Sequence, residues 1–380
     1  MKIDACLILK NEEEYVKKLI DNLLKFCDDI YLVDTGSTDN TINIINMAAM
    51  MHPNIHLDHF DWIDDFGAAR NYSFELSKDS DYRFWCDASD DFSQPLIDKL
   101  IEFKNGKYSE KLYDAYSIDR IYGLGNVRII GLTRTEAGIK WNDRIHEYLK
   151  LNGKTFNGTL FSGECTLIHK GVYNRKPGHE NRNIKIFRSM DENHDKFSSR
   201  NLLYYGNELF DHKHYTLAYS MYLMAAKNYD NFLGDAELIT IFCKLRVCYD
   251  ENNKQDFGFK KEIIDFGRKL YNRGLRHKLM LYILATFYFE KEDWFTAIRL
   301  YKEAINLKKE QATITELIGN EISIENCLLQ LVVSYDKLGD MNTSKYYNDL
   351  LLKDYPNNKS GKHNDEYFKK CLFDSSKLTT

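Results

Sequence analysis

Proline is almost missing from this chain, with 4 residues in 380. Because proline breaks helices and marks turns, its scarcity excludes a loop-rich fold and favours long uninterrupted helices. Paired cysteines are missing too. Cys6, Cys27, Cys86, Cys165, Cys243, Cys248, Cys327 and Cys371 include no CxxC spacing, so no zinc site is implied and the thiols read as reduced packing residues. There is no basic excess either: 52 Lys and Arg stand against 57 Asp and Glu, a formal net charge of -5, which excludes a dedicated nucleic-acid binder. Long apolar runs are also lacking. The start, MKIDACLILKNEEE, holds an apolar stretch of about five residues, too short for a signal peptide or a membrane span, so the expected location is the cytoplasm. What is present is enough apolar material for a core, 43 % of the chain, with 26 Tyr and 22 Phe. The length suggests two or three domains.

Up to about residue 170 short apolar runs alternate with helical periods. DACLIL reads as a buried strand. Asn11 is expected to open a helix, with Glu14 as capping-box partner and Val16, Leu19, Ile20, Leu23 and Leu24 as one face. IYLVD is a second strand, STDNT starts a second helix, and NIHLDHF is a third strand. A helix through Ala69 to Leu76 precedes a fourth strand, Asp81 to Cys86. This alternation means a mainly parallel sheet covered on both faces, with functional groups at the carboxyl ends of its strands.

After about residue 178 the pattern is helical to the end. Leu202, Tyr205, Gly206, Leu209, Ala218, Tyr222 and Ala225 follow one another at spacings of 3, 1, 3, 9, 4 and 3, and Leu281, Leu284, Ala285, Tyr288, Ala297, Tyr301 and Ala304 repeat them. Leu328, Leu331, Val332, Tyr335, Ser344, Asn348 and Leu351 form a looser third copy, closed by Pro356. A helix pair that cannot bury its face alone stacks on copies of itself, and small residues let the helices approach closely. The pattern resembles tetratricopeptide repeats, with one more irregular pair expected in 236–272. The expected boundaries are 1–190 for the α/β part, 191–356 for the helical part, and a tail over 357–380, linker-like at NNKSGKHND and helical at its end.

Four clusters lie where strands of the first part end. They are Lys10-Asn11-Glu12-Glu13, then Asp34-Thr35-Gly36-Ser37-Thr38-Asp39, then Trp62 to Asn71, and finally Asp87-Ala88-Ser89-Asp90-Asp91. The second has a strand-end carboxylate, a turn glycine and a helix amino terminus, which together can hold a base or ribose. The fourth concentrates three carboxylates in five residues. Such charge is costly unless a cation neutralises it, and hard oxygen ligands suit Mg²⁺ or Mn²⁺ bridging to a diphosphate.

In order, KNEE, VDTGSTDNT, FDWIDDFGAARN and FWCDASDD resemble the family 2 glycosyltransferases of the GT-A fold, a Rossmann-like α/β architecture, over roughly residues 1–190. That resemblance implies an inverting transfer from a UDP-sugar. Asp34 and Arg70 would contact uracil and ribose, Asn11, Glu12 and Asp39 would shape the base pocket, and Asp87 would begin the Asp-X-Asp metal motif beside Ala88. Ser89 stands where that motif has its second Asp, so either Asp90 or Asp91 is the second ligand or the metal site is weakened, with Asp87, Ser89, Asp90 and His169 as the candidate metal residues. Trp141-Asn142-Asp143-Arg144-Ile145-His146-Glu147 and Leu167-Ile168-His169-Lys170-Gly171 look like the later WxxxxHE and HxG signatures. Glu147 is then the candidate base or acceptor-orienting residue and Asp143 the second candidate. His169 is a third metal or diphosphate ligand, and Asn71, Trp141 and His146 join the donor site. Lys170, Arg182 and Arg134 are candidates for phosphate contact.

As a whole, a family 2 domain followed by tetratricopeptide-like helices resembles the peptide S-glycosyltransferases of bacteriocin biosynthesis, including Asn181-Arg182-Asn183-Ile184 after the His-X-Gly. The resemblance implies a peptide, protein or glycan acceptor and a homodimer through the helical part. A second reading is a non-catalytic scaffold whose repeats bind a partner beside a degenerate sugar-nucleotide domain; Ser89 favours it, whereas Asp34, Arg70, Asp87, Glu147 and His169 favour the enzyme.

Overall fold

A computed structural model describes residues 1–107, 111–122, 125–161, 165–170, 181–229, 233–252, 259–307 and 324–377. The chain forms two compact units, Met1–His194 and Asp195–Thr380. Gly171 of the HxG segment lies outside the described residues.

The first unit runs β1 (Ile3–Leu9), α1 (Val16–Leu23), β2 (Asp29–Asp34), α2 (Thr41–Met51), β3 (Ile55–His59), α3 (Phe66–Leu76) and β4 (Tyr82–Phe84). There follow β5 (Asp90–Phe92), α4 (Gln94–Lys104), β6 (Ala115–Tyr122), β7 (Gly125–Arg134), β8 (Ile139–Asn142) and β9 (Tyr148–Leu151). The short β10 (Lys154–Thr155) and β11 (Thr159–Leu160), then β12 (Thr166–His169) and α5 (Arg182–Glu192), complete it. The main sheet has the order β3-β2-β1-β4-β7-β6-β12-β5, with β11 beside β6, and β8 to β10 form a small antiparallel sheet.

Strands β3, β2, β1 and β4 are mutually parallel. The chain builds outward from β1 to β3 and then returns to the other side of β1 as β4. Strand order therefore reverses at β1, which opens a crevice at the carboxyl ends of β1, β2 and β4. β1 is almost wholly buried, as a strand covered on both faces must be. Beyond β4 the sheet turns mixed, with β7 antiparallel to both β4 and β6, and β5 antiparallel to β12. Helix α1 buries Val16, Leu19, Ile20 and Leu23 on the sheet. Edge-on rings of Phe26 on Phe84, and of Phe103 on Tyr82 and Tyr116, fill the core beneath.

Asn11 does not open the first helix. It takes a left-handed conformation, φ 56°, and its side-chain oxygen accepts from the backbone amides of Thr38 and Asp39, while α1 begins at Val16. Asn tolerates that conformation and trades a local cap for backbone donors in the neighbouring loop.

Among its described residues the second unit is all helical. It comprises α6 (Ser199–Asp211), α7 (Tyr215–Lys227), α8 (Asp235–Glu251), α9 (Phe259–Asn272), α10 (Lys278–Glu290), α11 (Trp294–Asn306), α12 (Ile324–Lys337), α13 (Met341–Asp354) and α14 (Lys359–Lys377). The three matched segments form the hairpins α6/α7, α10/α11 and α12/α13, and 236–272 falls on α8 and α9. Their turns match as well. Lys213, Glu292 and Gly339 occupy one position and are all left-handed, and the next amide bonds back to Leu209, Tyr288 and Tyr335 respectively. Small residues set the approach of each pair. A Cβ built on Gly206 would lie 2.6 Å from the Tyr222 ring, and Ala218, Ala225, Ala285, Ala297 and Ala304 are buried.

NNKSGKHND is not a free linker. Asn358 accepts from the Gly361 amide as α14 starts, and the buried Asn348 donates to the Gly361 carbonyl. Phe368 is buried. Helix α14 thus follows α13 as α8 follows α7 and α12 follows α11.

None of the eight cysteines, all within the described residues, is in a disulfide. Burial pushes the Cys6 thiol up to about 12. Among the described residues no helix is long and apolar enough to cross a membrane.

The Gly206 contact gives a test of pair packing. Helix propensity alone makes Ala better than Gly by about 1 kcal/mol, whereas overpacking costs about 1–3 kcal/mol. Gly206→Ala is therefore expected to lower the calorimetric unfolding midpoint, with a net loss of about 1 kcal/mol. A raised midpoint would show that Tyr222 yields without cost.

Candidate active site

The loops after β1 and β2 are laced together. β1 and β2 end in register, Leu9 opposite Asp34, and the buried Asp34 carboxylate accepts from the amides of Gly36 and Ser37 at 2.9 and 3.0 Å. The Asn11 amide donates to Ser37 Oγ, the Glu12 amide to Thr41 Oγ1, and the Glu13 amide to Asp39. Asp39 also takes the amide and hydroxyl of Thr41. Asn11, Glu12, Asp34 and Asp39 are thus brought together as one polar shelf at the crevice. Gly36, at φ 104°, makes the turn that aims two amides at Asp34.

Across the crevice a chain of alternating charges runs Glu147, Arg70, Asp87, Arg120, Asp90 and ends on the imidazole of His169. Arg70 Nε donates to Glu147 Oε1 at 2.7 Å and its Nη2 to Asp87 Oδ1 at 2.9 Å. Arg120 Nη1 lies 3.0 Å from Asp87 Oδ2, and its Nη2 pairs with Asp90 Oδ2. Asp90 Oδ1 is 2.8 Å from His169 Nδ1, and Asp90 Oδ2 also accepts the Asp87 amide. Trp85 and Trp141 meet edge to face, with centroids 4.6 Å apart, and the Arg70 guanidinium lies 4.7 and 5.0 Å from them. Burial alone would raise the Asp87 pKa, but the charges of Arg120 and Arg70 and the bond from Arg70 hold it well below the usual carboxylate range. Burial likewise works against the charge of each arginine, and the facing carboxylates outweigh it and raise both pKa values.

Asp87, Asp90 and His169 each offer one ligand atom, and these atoms lie within 4.8 Å of one another. Two carboxylates and an imidazole are a donor set that fits Mg²⁺ or Mn²⁺. The Ser89 carbonyl accepts the Lys170 amide. Lys170 Nζ pairs with Asp91, as does Lys18, at 2.7 and 2.6 Å. Burial would raise the Asp91 pKa, but these two lysines outweigh it and lower it. A cleft of about 490 Å³ opens here, lined by Tyr15, Lys18, Leu19, Ala88 to Asp91, Ile168 and Lys170 among others.

The remaining predicted residues build the frame. Asn71 clasps both the amide and the carbonyl of Trp141, which fixes α3 to β8. Asp143 and His146 are left-handed, φ 73° and 52°, and the His146 ring stacks on Phe187. A Cβ on Gly67 would lie 2.5 Å from the Asp143 carbonyl, so the start of α3 is pressed against this loop. Arg182 lies 4.8 Å over Phe66, and Arg134 pairs with Glu136 rather than with the charge chain.

Arg120, Trp85 and Tyr122 were not anticipated from the sequence. The signal for Arg120 lies in its strand: alternation puts it on the face of Ile118, and both are buried. A charge on a buried strand face demands a partner.

Residues 4–175 match the family profile Glycosyl transferase family 2. Among curated proteins, a TPR repeat-containing protein of Synechococcus elongatus is 34 % identical over 70 residues, 18 % of this chain and 16 % of that protein. The SPbeta prophage-derived glycosyltransferase SunS of Bacillus subtilis is 23 % identical over 153 residues, 38 % of this chain and 34 % of its own. The chain thus spans about a third or less of the length of these relatives. Among solved structures, S. aureus TarS 1–349 aligns with 94 % of this chain and 91 % of its own, at 13 % identity and a TM-score of 0.37.

Removing Arg70 leaves Asp87 and Glu147 facing an empty site. Breaking a buried ion pair by deleting one partner costs about 3–5 kcal/mol, so Arg70→Ala is expected to lose stability on that scale in urea unfolding. A loss below about 1 kcal/mol would mean that solvent replaces the guanidinium freely.

Proposed function

Because residues 4–175 match the family profile of the family 2 glycosyl transferases, we propose that this protein moves a sugar from a UDP-sugar to an acceptor, inverting the anomeric centre. The observation that carries this reading is the convergence of Asp87, Asp90 and His169 at the carboxyl end of the parallel strands, joined through arginines to Glu147.

A single displacement needs a base on the acceptor side and charge neutralisation on the leaving-group side. Glu147 is the base: Arg70 holds its Oε1, and Oε2 receives the acceptor proton. Asp143, in the same loop, is the second candidate. Asp87, Asp90 and His169 would hold a Mg²⁺ or Mn²⁺, which would supply positive charge toward the departing diphosphate. Lys18 and Lys170 offer further positive charge in the adjoining cleft. The shelf of Asn11, Glu12, Asp34 and Asp39 receives uracil and ribose, and the Trp85–Trp141 wall excludes water behind Arg70.

The matched hairpins of the second unit and their repeated turns support a tetratricopeptide-like array. Such arrays present extended surfaces, and this one captures the acceptor, a peptide or protein side chain or a glycan, or a second copy of the chain. The buried reduced thiols suit the cytoplasm.

UDP release from a panel of UDP-sugars, with Mn²⁺, with Mg²⁺ and with chelator, tests the donor class. We expect one UDP-sugar to be turned over in the presence of metal, with Asp87→Asn at least about 100-fold slower. UDP binding without release from any sugar nucleotide would overturn the enzymatic reading in favour of a scaffold. Glu147→Gln is expected to lose about 100-fold or more in kcat at similar donor KM. If Asp143→Asn suffers that loss instead, the base is Asp143.

A further inference from the structure

Every carboxylate oxygen of Asp87 and Asp90 already has a partner. Asp87 Oδ1 takes Arg70 and its Oδ2 faces Arg120; Asp90 Oδ1 takes His169, and its Oδ2 takes both Arg120 and the Asp87 amide. One guanidinium therefore spans both carboxylates that would hold a cation. Arg120 is buried, and its charge cannot be screened by water there. Taking the carboxylates of Asp87, Asp90 and Glu147 with the guanidiniums of Arg70 and Arg120, three negative charges meet two positive ones. The site is close to neutral before any ion arrives.

We propose that Arg120 sets the affinity of this site for a divalent cation, occupying in the free protein the charge position that the ion takes and yielding it on binding. This rests on reading Asp87, Asp90 and His169 as the cation site. The surroundings of Arg120 hold it by contacts besides those to the two carboxylates. Its Nε is buried without a hydrogen-bond partner, so the clamp is held by charge and not by a full set of bonds. Its Nη1 also reaches the Tyr122 hydroxyl at 3.1 Å, two residues along the same strand. The rings of Trp85 and Tyr122 flank the guanidinium at 5.6 and 5.9 Å. Tyr122 and the aromatic faces keep the arginine solvated by protein when an ion claims the carboxylates. A strut that merely fixed Asp90 would need none of this second set.

The test is direct Mn²⁺ titration of the full chain, with no nucleotide, followed by electron paramagnetic resonance of the free ion. Arg120→Gln is expected to bind Mn²⁺ at least about 10-fold more tightly than the parent, because a competing unit charge beside the ligands is gone. Tyr122→Phe leaves both carboxylate contacts and removes a hydroxyl that Arg120 keeps when an ion claims those carboxylates and that matters more once they are lost; it is expected to weaken Mn²⁺ binding about 3-fold. This mild variant keeps the test open if Arg120→Gln does not fold. Parent binding that Arg120→Gln does not strengthen, or that Tyr122→Phe leaves unchanged when Arg120→Gln is unfolded, overturns the role of Arg120 while the cation site stands. No Mn²⁺ binding by the folded parent and folded variants alike overturns the cation site, and the role of Arg120 with it.

Discussion

Five charged groups inside a sheet-end crevice can be stable only if each faces its opposite, and that requirement organises the first unit. Asp87 sits between two guanidiniums, and each guanidinium sits between two carboxylates. The residues come from α3, the turn after β4, β5, β6 and the loop after β8, so the ion chain ties distant stretches to one point. An isolated buried charge would carry a penalty of several kcal/mol, which the alternation offsets only while all members stay in place. The packing around it follows from the same need. Trp85 and Trp141 offer ring faces to Arg70, and Asn71 holds the Trp141 backbone at the distance those contacts require.

Much of this was legible in the order of residues. The alternation of DACLIL, IYLVD and NIHLDHF with helical periods led to a parallel sheet, and the carboxylates collected at the strand ends that such a sheet exposes. Local patterns failed where a residue answers to a distant partner. Asn11 looks like a helix cap because the cap pattern is short, yet its side chain serves the loop after β2, 27 residues away. Spacing alone could not choose among the carboxylates after Asp87, whereas in the fold the Asp87 amide bonds to Asp90 and curls this turn so that Asp90 faces inward. Arg120 carried no motif. Its role arises from the pairing of β6 with β12, a contact between residues far apart in the chain.

The helical unit was legible for another reason. Its contacts are local, so spacings within 24 residues hold most of the information about each hairpin. The exceptions again involve a neighbour. Asn348 stands where the other hairpins have Tyr222 and Tyr301, and a buried amide at that place makes sense only with the Gly361 carbonyl beside it. Polar composition hid α14, because NNKSGKHND supplies a cap and a polar start while its apolar anchor, Phe368, comes later.

That last helix also continues the array. A solenoid grows by offering its last helix to an identical successor, and here α14 already stands in the successor's place on α13. The asparagine that receives it is too short and too polar to serve as the packing tyrosine of another hairpin. The buried amide of Asn348 instead ties α13 to the start of its successor by a directed bond, which sets the register between the two helices as well as their approach.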